Sequence, residues 1–357
     1  MNKHSASDLK QMQSLPLEAK IRMTQQRIKA WYESWVRYEI YNKTTGKTRY
    51  VTATEEPPLK DDEWIESAID GQVYVSFSGG KDSTVLKHIV DSMYSDVPSL
   101  FVNTGLEYPE IQKFAMSQPN VITVRPEMRF DEVIKKYGYP VIGKEVSQKI
   151  YEYRQKPDGY AKDRFDDNSD YVKRYGKAYS MSKWVWLRDS DIPISNQCCH
   201  VMKKKPSKQY EKETGRKPFI GTLASESRLR QTRWMQLGCN AFEGKRPTSQ
   251  PLSFWTEQDI LEYIHTYNIP YCSVYGDIVQ EGENLKTTKL DRSGCIFCMF
   301  GIMQDGCPNR FQRLKETHPR QYDYCINGGE FVEGKWQPSK EGLGLGHVLD
   351  YIGVKYE

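Results

Sequence analysis

Val73-Tyr-Val-Ser-Phe-Ser-Gly-Gly-Lys-Asp-Ser83, continued by Thr84-Val-Leu-Lys-His-Ile-Val90, is the stretch on which the fold turns. It opens as a β-rich apolar run from Val73 to Phe77 and turns on Gly79 and Gly80. It then becomes a helix with Val85, Leu86, Ile89 and Val90 on one face. A strand ending in a Gly-rich turn that feeds a helix N-terminus is an anion site. The first helical turn has unpaired N–H groups, and its dipole favours negative charge there. Gly79 and Gly80 let the backbone approach a phosphate, and Ser78, Lys81 and Ser83 add hydroxyl and ammonium contacts. The G-x-x-x-x-G-K-[ST] spacing of the P-loop is absent.

Outward from this loop, strand and helix alternate. Strands are expected over 72–77, 98–103 and 120–125, with helices over 82–95, 109–117 and 130–138. Such alternation predicts an α/β fold: a mostly parallel twisted sheet with helices on both faces and right-handed crossovers. Ligands of such sheets sit at the carboxyl ends of the strands. The segment Asn103-Thr-Gly-Leu-Glu107 falls there as well. Thr104, Gly105 and Glu107 therefore join the nucleotide-site candidates, and Asp82 and Glu107 are candidates for magnesium or ribose contacts.

A chain of 357 residues implies one decorated domain or two domains. Its net charge of +4 is too small to demand nucleic acid, yet suits an anionic substrate. No apolar run reaches transmembrane length, and Met1-Asn-Lys-His-Ser-Ala-Ser7 lacks the apolar core of a signal peptide. The expectation is a cytoplasmic protein without membrane association. Eight cysteines in a reducing compartment point to metal or redox chemistry rather than a disulfide framework.

The flanks read as follows. Residues 17–41 carry a helical pattern through Ile21, Ile28, Trp31, Trp35 and Tyr38, with Lys20, Arg22, Arg27, Lys29 and Arg37 as a solvated basic face. Residues 42–70 read as a polar connector. The expected domains are an N-terminal helical extension and linker (1–70), a nucleotide-binding α/β domain (71–270) with an insertion at 141–190, and a C-terminal segment (271–357). Within 141–190, residues 155–180 are charged and Tyr-rich and read as an insertion or a mobile segment over the site, and Ser182–Arg188 is expected to pack into the core rather than stack a base. Helix is expected from Trp255 to Ile264, capped by Ser253 or Thr256, and loop over 276–292.

Cys198-Cys199 and Cys295-Ile-Phe-Cys298 supply four thiolates in two short clamps, which suit zinc or an iron–sulfur cluster. Adjacent cysteines are awkward for one tetrahedral zinc but can serve different irons of a cubane; spacing alone leaves both open. Cys307 is a competing ligand candidate, and Cys325 the best remaining candidate for a thiol that carries or attacks sulfur. Taken singly, each reads as a buried, inert cysteine. Cys239 and Cys272 read as structural. Arg310, Arg313 and Lys315 are candidates to face nucleotide or nucleic acid.

Ser78-Gly-Gly-Lys-Asp-Ser83 resembles the pyrophosphate loop (PP-loop) of the ATP pyrophosphatase superfamily, whose members bind ATP and in many cases cleave it between the α and β phosphates. Thr104-Gly-Leu-Glu-Tyr-Pro-Glu110, Cys198-Cys199, Phe219-Ile-Gly-Thr-Leu-Ala-Ser-Glu-Ser-Arg-Leu-Arg230, Pro251-Leu-Ser-Phe-Trp-Thr-Glu-Gln-Asp-Ile260, Ile269-Pro-Tyr271 and Cys295-x-x-Cys298 follow in order. Together they resemble the phosphoadenylyl-sulfate and adenylyl-sulfate reductase family over roughly residues 70–300. The resemblance implies an adenine-nucleotide alpha-hydrolase-like fold with a C-terminal cluster-binding extension. It also implies a [4Fe–4S] cluster on Cys198, Cys199, Cys295 and Cys298. Two departures stand out. The catalytic Glu-Cys-Gly-Leu-His tail of those reductases has no counterpart, the chain ending Leu343-Gly-Leu-Gly-His-Val-Leu-Asp-Tyr-Ile-Gly353 and beyond. The family's Gly-x-Arg is Gly221-Thr-Leu223, leaving Arg228, Arg230 and Arg233 as basic groups for that loop. The intact PP-loop is similar instead to that of ATP sulfurylase small subunits and of sulfur-inserting enzymes of tRNA and DNA.

The first functional expectation is ATP-dependent adenylation coupled to sulfur transfer. Lys81, Asp82 and Arg230 would act in catalysis, with Mg²⁺ as counter-ion and Cys325 as sulfur-handling thiol. The alternative is a thiol-dependent reductase of an adenylylated sulfate, with Cys325 or Cys307 as nucleophile and Lys203, Arg228 and Arg230 holding the sulfonucleotide. A third is a non-catalytic nucleotide- or nucleic-acid-binding accessory protein. A nucleic acid, a sulfur-donor or thioredoxin-like protein, and a second copy of the chain are the partners considered.

Overall fold

The computed structural model describes residues 2–357. These divide into two compact units, each gathered from separate stretches. The first comprises 1–103, 108–124 and 207–293; the second comprises 104–107, 125–206 and 294–357.

The first unit is built on a six-stranded sheet. Val73–Phe77 pairs in parallel with Ser99–Val102 on one side and Lys217–Ile220 on the other. Val121–Val124 extends one edge in parallel, while Thr248–Ser249 and then antiparallel Asn240–Ala241 extend the other. Val73, Tyr74 and Val75 are all fully buried, as expected for a strand covered on both faces. Lys81–Met93 follows the first strand, and its apolar side joins one core with Ile28, Trp31, Phe219, Trp255 and Ile264. Strand order reverses direction at Val73–Phe77, the topological switch point at which such sheets open a ligand crevice.

The structure departs from expectation at the N-terminal flank. Helix Leu17–Ser34 stops short of residue 41, and Val36–Asn42 is a strand. It pairs antiparallel with Lys47–Ala53 and Glu63–Ile69, so the expected connector is a three-stranded sheet. Tyr38 and Ile40 are buried at a spacing of two, a strand period that the overlapping aromatic spacing concealed. Lys20 is not solvated: it is 2% exposed and paired with Asp259 at 2.7 Å.

The second unit has less regular structure. Val141–Ile142 pairs in parallel with Met299–Phe300. Helices Phe130–Tyr137, Lys144–Gln155, Arg310–Thr317, Pro319–Ile326 and Leu345–Tyr351 surround that short ladder in sequence. The 155–180 stretch forms ordered turns, Tyr160–Phe165 and Asp170–Tyr175, held by buried Ala161, Phe165 and Val172. A hairpin occupies Ile278–Glu281/Asn284–Thr287 in the first unit, where a loop was expected, and another occupies Glu330–Val332/Lys335–Gln337 in the second. No helix among the described residues is long and apolar enough to cross a membrane.

Candidate nucleotide site and cysteine pocket

The turn after Val73–Phe77 is shaped by its glycines. Gly79 has φ +72°, a left-handed conformation that a Cβ would strain; that Cβ would also lie 3.1 Å from the Ile111 carbonyl oxygen. At Gly80 a Cβ would approach the hydroxyls of Ser293, Ser78 and Tyr275 to 3.2–3.3 Å. The loop amides meet hydroxyl oxygens at long range. Ser78 N–H donates to Ser83 Oγ at 3.2 Å, Gly80 N–H to Ser78 Oγ at 3.4 Å and Lys81 N–H to Tyr275 Oη at 3.4 Å. These are longer than the usual 2.9–3.0 Å.

Lys81 is buried at the helix start. Its ammonium pairs with Glu257 Oε1 at 2.8 Å, donates to the Asp291 carbonyl and lies 5.4 Å from the Tyr275 ring centroid. Lys81, Asp82, Glu226, Thr256, Glu257 and Arg292 share the lining of a pocket of about 330 Å³. Burial pushes the Asp82 carboxyl up from its ordinary value; Lys81 opposes the shift and Glu257 reinforces it. After Lys217–Ile220, Gly221 allows a close approach: a Cβ there would sit 3.1 Å from the Asp82 carbonyl oxygen. Arg230 pairs with Glu226, and burial and Arg292 hold its guanidinium below the ordinary value. Arg228 is exposed, and Arg233 donates to Thr248 Oγ1 at 3.1 Å. Ser78 to Ser83, Gly221, Arg228 and Arg230 thus belong to one unit. Sequence reasoning gave no role to Glu257, although it lies within the Pro251–Ile260 motif, and missed Tyr275, Arg292 and Ser293, which lie far along the chain from the loop and outside any motif.

Thr104, Gly105 and Glu107 belong to the second unit. Thr104 donates to the Glu107 carboxylate through its N–H at 3.0 Å and its hydroxyl at 2.8 Å. Glu107 lies 3.8 Å from the Lys203 ammonium. Ile296 N–H donates to the Leu106 carbonyl at 2.9 Å, tying this turn to the Cys-x-x-Cys segment.

Cys198, Cys199, Cys295 and Cys298 all line one small cavity of about 20 Å³, together with Leu106, Phe130, Pro140, Met202 and Lys203. Among the described residues no three Cys, His, Asp or Glu side chains converge as a single-ion site. Cys198 and Cys199 share a hydrogen bond that lowers Cys199, to about 6, with Lys144, Lys203 and Lys204 also favouring its thiolate. The same bond and burial raise Cys198. Burial raises Cys295, with Lys203 opposing, and raises Cys298 to about 11. His200–Lys204 continues from the Cys pair as a π-helical turn, a widened geometry often found at functional sites.

Arg310 is a support of this pocket rather than a ligand contact. Its guanidinium grips Asp305 at 2.7 Å and donates to the carbonyls of Cys298 and Phe300 at 3.0 Å. Cys325 is fully buried, and burial pushes its thiol far up, the surroundings of an inert thiol rather than a nucleophile. Cys307 is the exposed cysteine of the described residues; Cys239 and Cys272 are buried.

Residues 72–299 match the family described as phosphoadenosine phosphosulfate reductase domain, whose members bind adenine nucleotides. The chain is also similar to the uncharacterized protein MJ0973 of Methanocaldococcus jannaschii, at 22% identity over 259 residues. That alignment covers 71% of this chain and 47% of the relative, so the match extends over about half of that protein's length. With a strand–PP-loop–helix at the switch point of a mostly parallel sheet, and a family match running through both, the chain belongs to the phosphoadenosine phosphosulfate reductase domain family.

Proposed function

We propose that this protein activates an acceptor with ATP at the Ser78–Ser83 loop and couples that step to sulfur chemistry at the cysteine pocket. The observation that carries the reading is Lys81. It is buried at the loop, held by Glu257 and lines one pocket with Asp82 and Arg292. A nucleotide phosphate entering that pocket takes over the ammonium from Glu257 and the loop amides from the hydroxyls of Ser78, Ser83 and Tyr275. An acceptor oxygen then attacks the α-phosphorus, the bond to the α–β bridging oxygen breaks and pyrophosphate leaves; a sulfide-level sulfur nucleophile then displaces AMP from the adenylylated acceptor. Positioning and electrostatic stabilisation are the chain's contribution. Asp82 would hold Mg²⁺, which offsets phosphate charge.

We read the thiol quartet as ligands of a [4Fe–4S] cluster rather than of one zinc, because the adjacent Cys198 and Cys199 serve different irons of a cubane more readily than one tetrahedral ion. Cys198, Cys199, Cys295 and Cys298 would hold the cluster, which would supply a redox-capable, sulfur-binding centre. Arg310 fixes the Cys298 carbonyl, and Lys203 lines the pocket as the neighbouring cation.

The family match favours a second reading, reduction of an adenylylated sulfate. In it the exposed Cys307 is a better nucleophile than the buried Cys325. One anaerobic experiment separates the two. ATP and a nucleotide-depleted cell extract, which supplies acceptors, are incubated with the protein, and AMP with pyrophosphate is expected, lost in Lys81→Ala. Sulfite from adenylyl sulfate and a dithiol, lost in Cys307→Ser and without ATP turnover, would favour the reductase.

A further inference from the structure

Residues 171–188, Tyr171-Val-Lys-Arg-Tyr-Gly-Lys-Ala-Tyr-Ser-Met-Ser-Lys-Trp-Val-Trp-Leu-Arg188, hold five Lys or Arg, five Tyr or Trp, and no Asp or Glu. The rings form a series at the surface. Tyr160 meets Tyr171 at 5.5 Å between centroids, Tyr171 meets Tyr175 at 4.7 Å, and Tyr175 meets Tyr179 at 6.2 Å. Tyr160, Tyr175 and Tyr179 are 61%, 50% and 49% exposed. Trp186, expected in the core, is 43% exposed and packs against Tyr351.

These rings do not fold the insertion. Ala161, Phe165, Val172, Met181 and Leu187, with the Arg164 side chain, are buried there. Arg164 closes the turn from inside, donating to the Tyr179 carbonyl at 2.8 Å and to Glu145 at 2.9 Å. Exposed aromatics that contribute nothing to a core mark an interaction surface.

Cations are interleaved with the rings. Arg174 lies 5.4 Å from the Tyr175 centroid and Lys183 5.1 Å from the Trp184 centroid, while Lys173 and Lys177 are exposed. Arg188 is engaged with Asp189. The acidic residues Asp163, Asp166, Asp167 and Asp170 precede Tyr171, and Asp167 accepts from the hydroxyls of Ser180 and Ser182. Over 160–188 there are seven Lys or Arg against four Asp.

We propose that this face binds single-stranded nucleic acid. Unpaired bases stack on Tyr160, Tyr175, Tyr179 and Trp186, and phosphates meet Lys173, Arg174, Lys177 and Lys183. A duplex keeps its base faces covered and would use the cations alone. An acidic protein would likewise leave the rings without a role. The proposal stands on this surface and not on the chemistry of the PP-loop.

Fluorescence anisotropy with short labelled DNA and RNA single strands, without ATP, tests it. At least one strand should bind, and both exceed a duplex of the same sequence. Tyr175→Ala with Tyr179→Ala should weaken binding about tenfold or more at every salt concentration, while the Tyr→Phe pair retains it. Lys173→Gln with Lys177→Gln should reduce the salt slope by about 0.7 per lost phosphate contact. All variants should keep wild-type melting temperature and ATP binding, which separates failure here from failure of the loop reading. Absence of binding at low salt, equal affinity for duplex, wild-type affinity in the Tyr→Ala pair, or displacement by poly-glutamate as effective as by an unlabelled strand would overturn the proposal.

Discussion

Gly79 joins sequence to function at a single residue. Its φ of +72° costs an L side chain about 1–2 kcal/mol, and a Cβ would press on Ile111 and Ala115 at 3.1–3.2 Å. Gly79→Ala should therefore lower stability by about that amount and weaken ATP binding, read by urea unfolding and calorimetry; wild-type ATP affinity in this variant would contradict the role given to the loop. Lys20 and Asp259 illustrate the opposite case, a pairing across 239 residues that the sequence did not announce. Their buried ion pair at 2.7 Å also involves the Gln13 carbonyl, and Asp259 caps Thr256. Asp259→Ala strands a buried ammonium and should destabilise by about 3–5 kcal/mol, whereas Lys20→Met with Asp259→Leu should recover much of it. Urea unfolding of the three variants measures both effects.

At the scale of elements, alternation and capping were legible where one period dominated. Pro109–Ser117 falls on its expected bounds, and the strands and helices around the PP-loop lie within two residues of theirs. Thr256, one of two expected caps, accepts from Asp259 N–H, and the helix begins at Glu257 rather than Trp255. Trp255 is instead a fully buried core residue. The sheet over 36–69 was not legible because Trp35 and Tyr38 fit a helical period as well as a strand period, and only pairing decides between them. The Cys pairs were legible from spacing, but Glu257 and Arg310, which position the two sites, depend on tertiary contact. Helices Lys81–Met93 and Glu257–Thr266 are joined by a 2.9 Å hydrogen bond between His88 Nδ1 and Tyr263 Oη. Burial holds His88 below its ordinary 6.5, with Asp91 opposing. The unfolded chain thus takes the proton first. Stability from this group is full above about pH 6.5 and declines as pH falls below that value. Melting temperature against pH should show this acid-side loss, reduced in His88→Gln.

For the whole molecule, the division into two units separates the two chemistries along the chain. The PP-loop and its Lys81 pocket lie in one unit, and the four thiols in the other. Anaerobically purified protein should carry about four irons with matching sulfide, and Cys198→Ala or Cys295→Ala should lose them. Loss of iron with ATP binding intact would show that the thiol pocket and the loop act through separate parts of the chain. The most direct measurement of the central claim is a calorimetric titration of the wild-type protein and of Lys81→Ala with ATP and Mg²⁺. The account predicts saturable 1:1 binding by wild type and at least a tenfold loss in Lys81→Ala, by about 1.4 kcal/mol or more. No ATP binding by wild type, or unchanged affinity without the Lys81 ammonium, would contradict it.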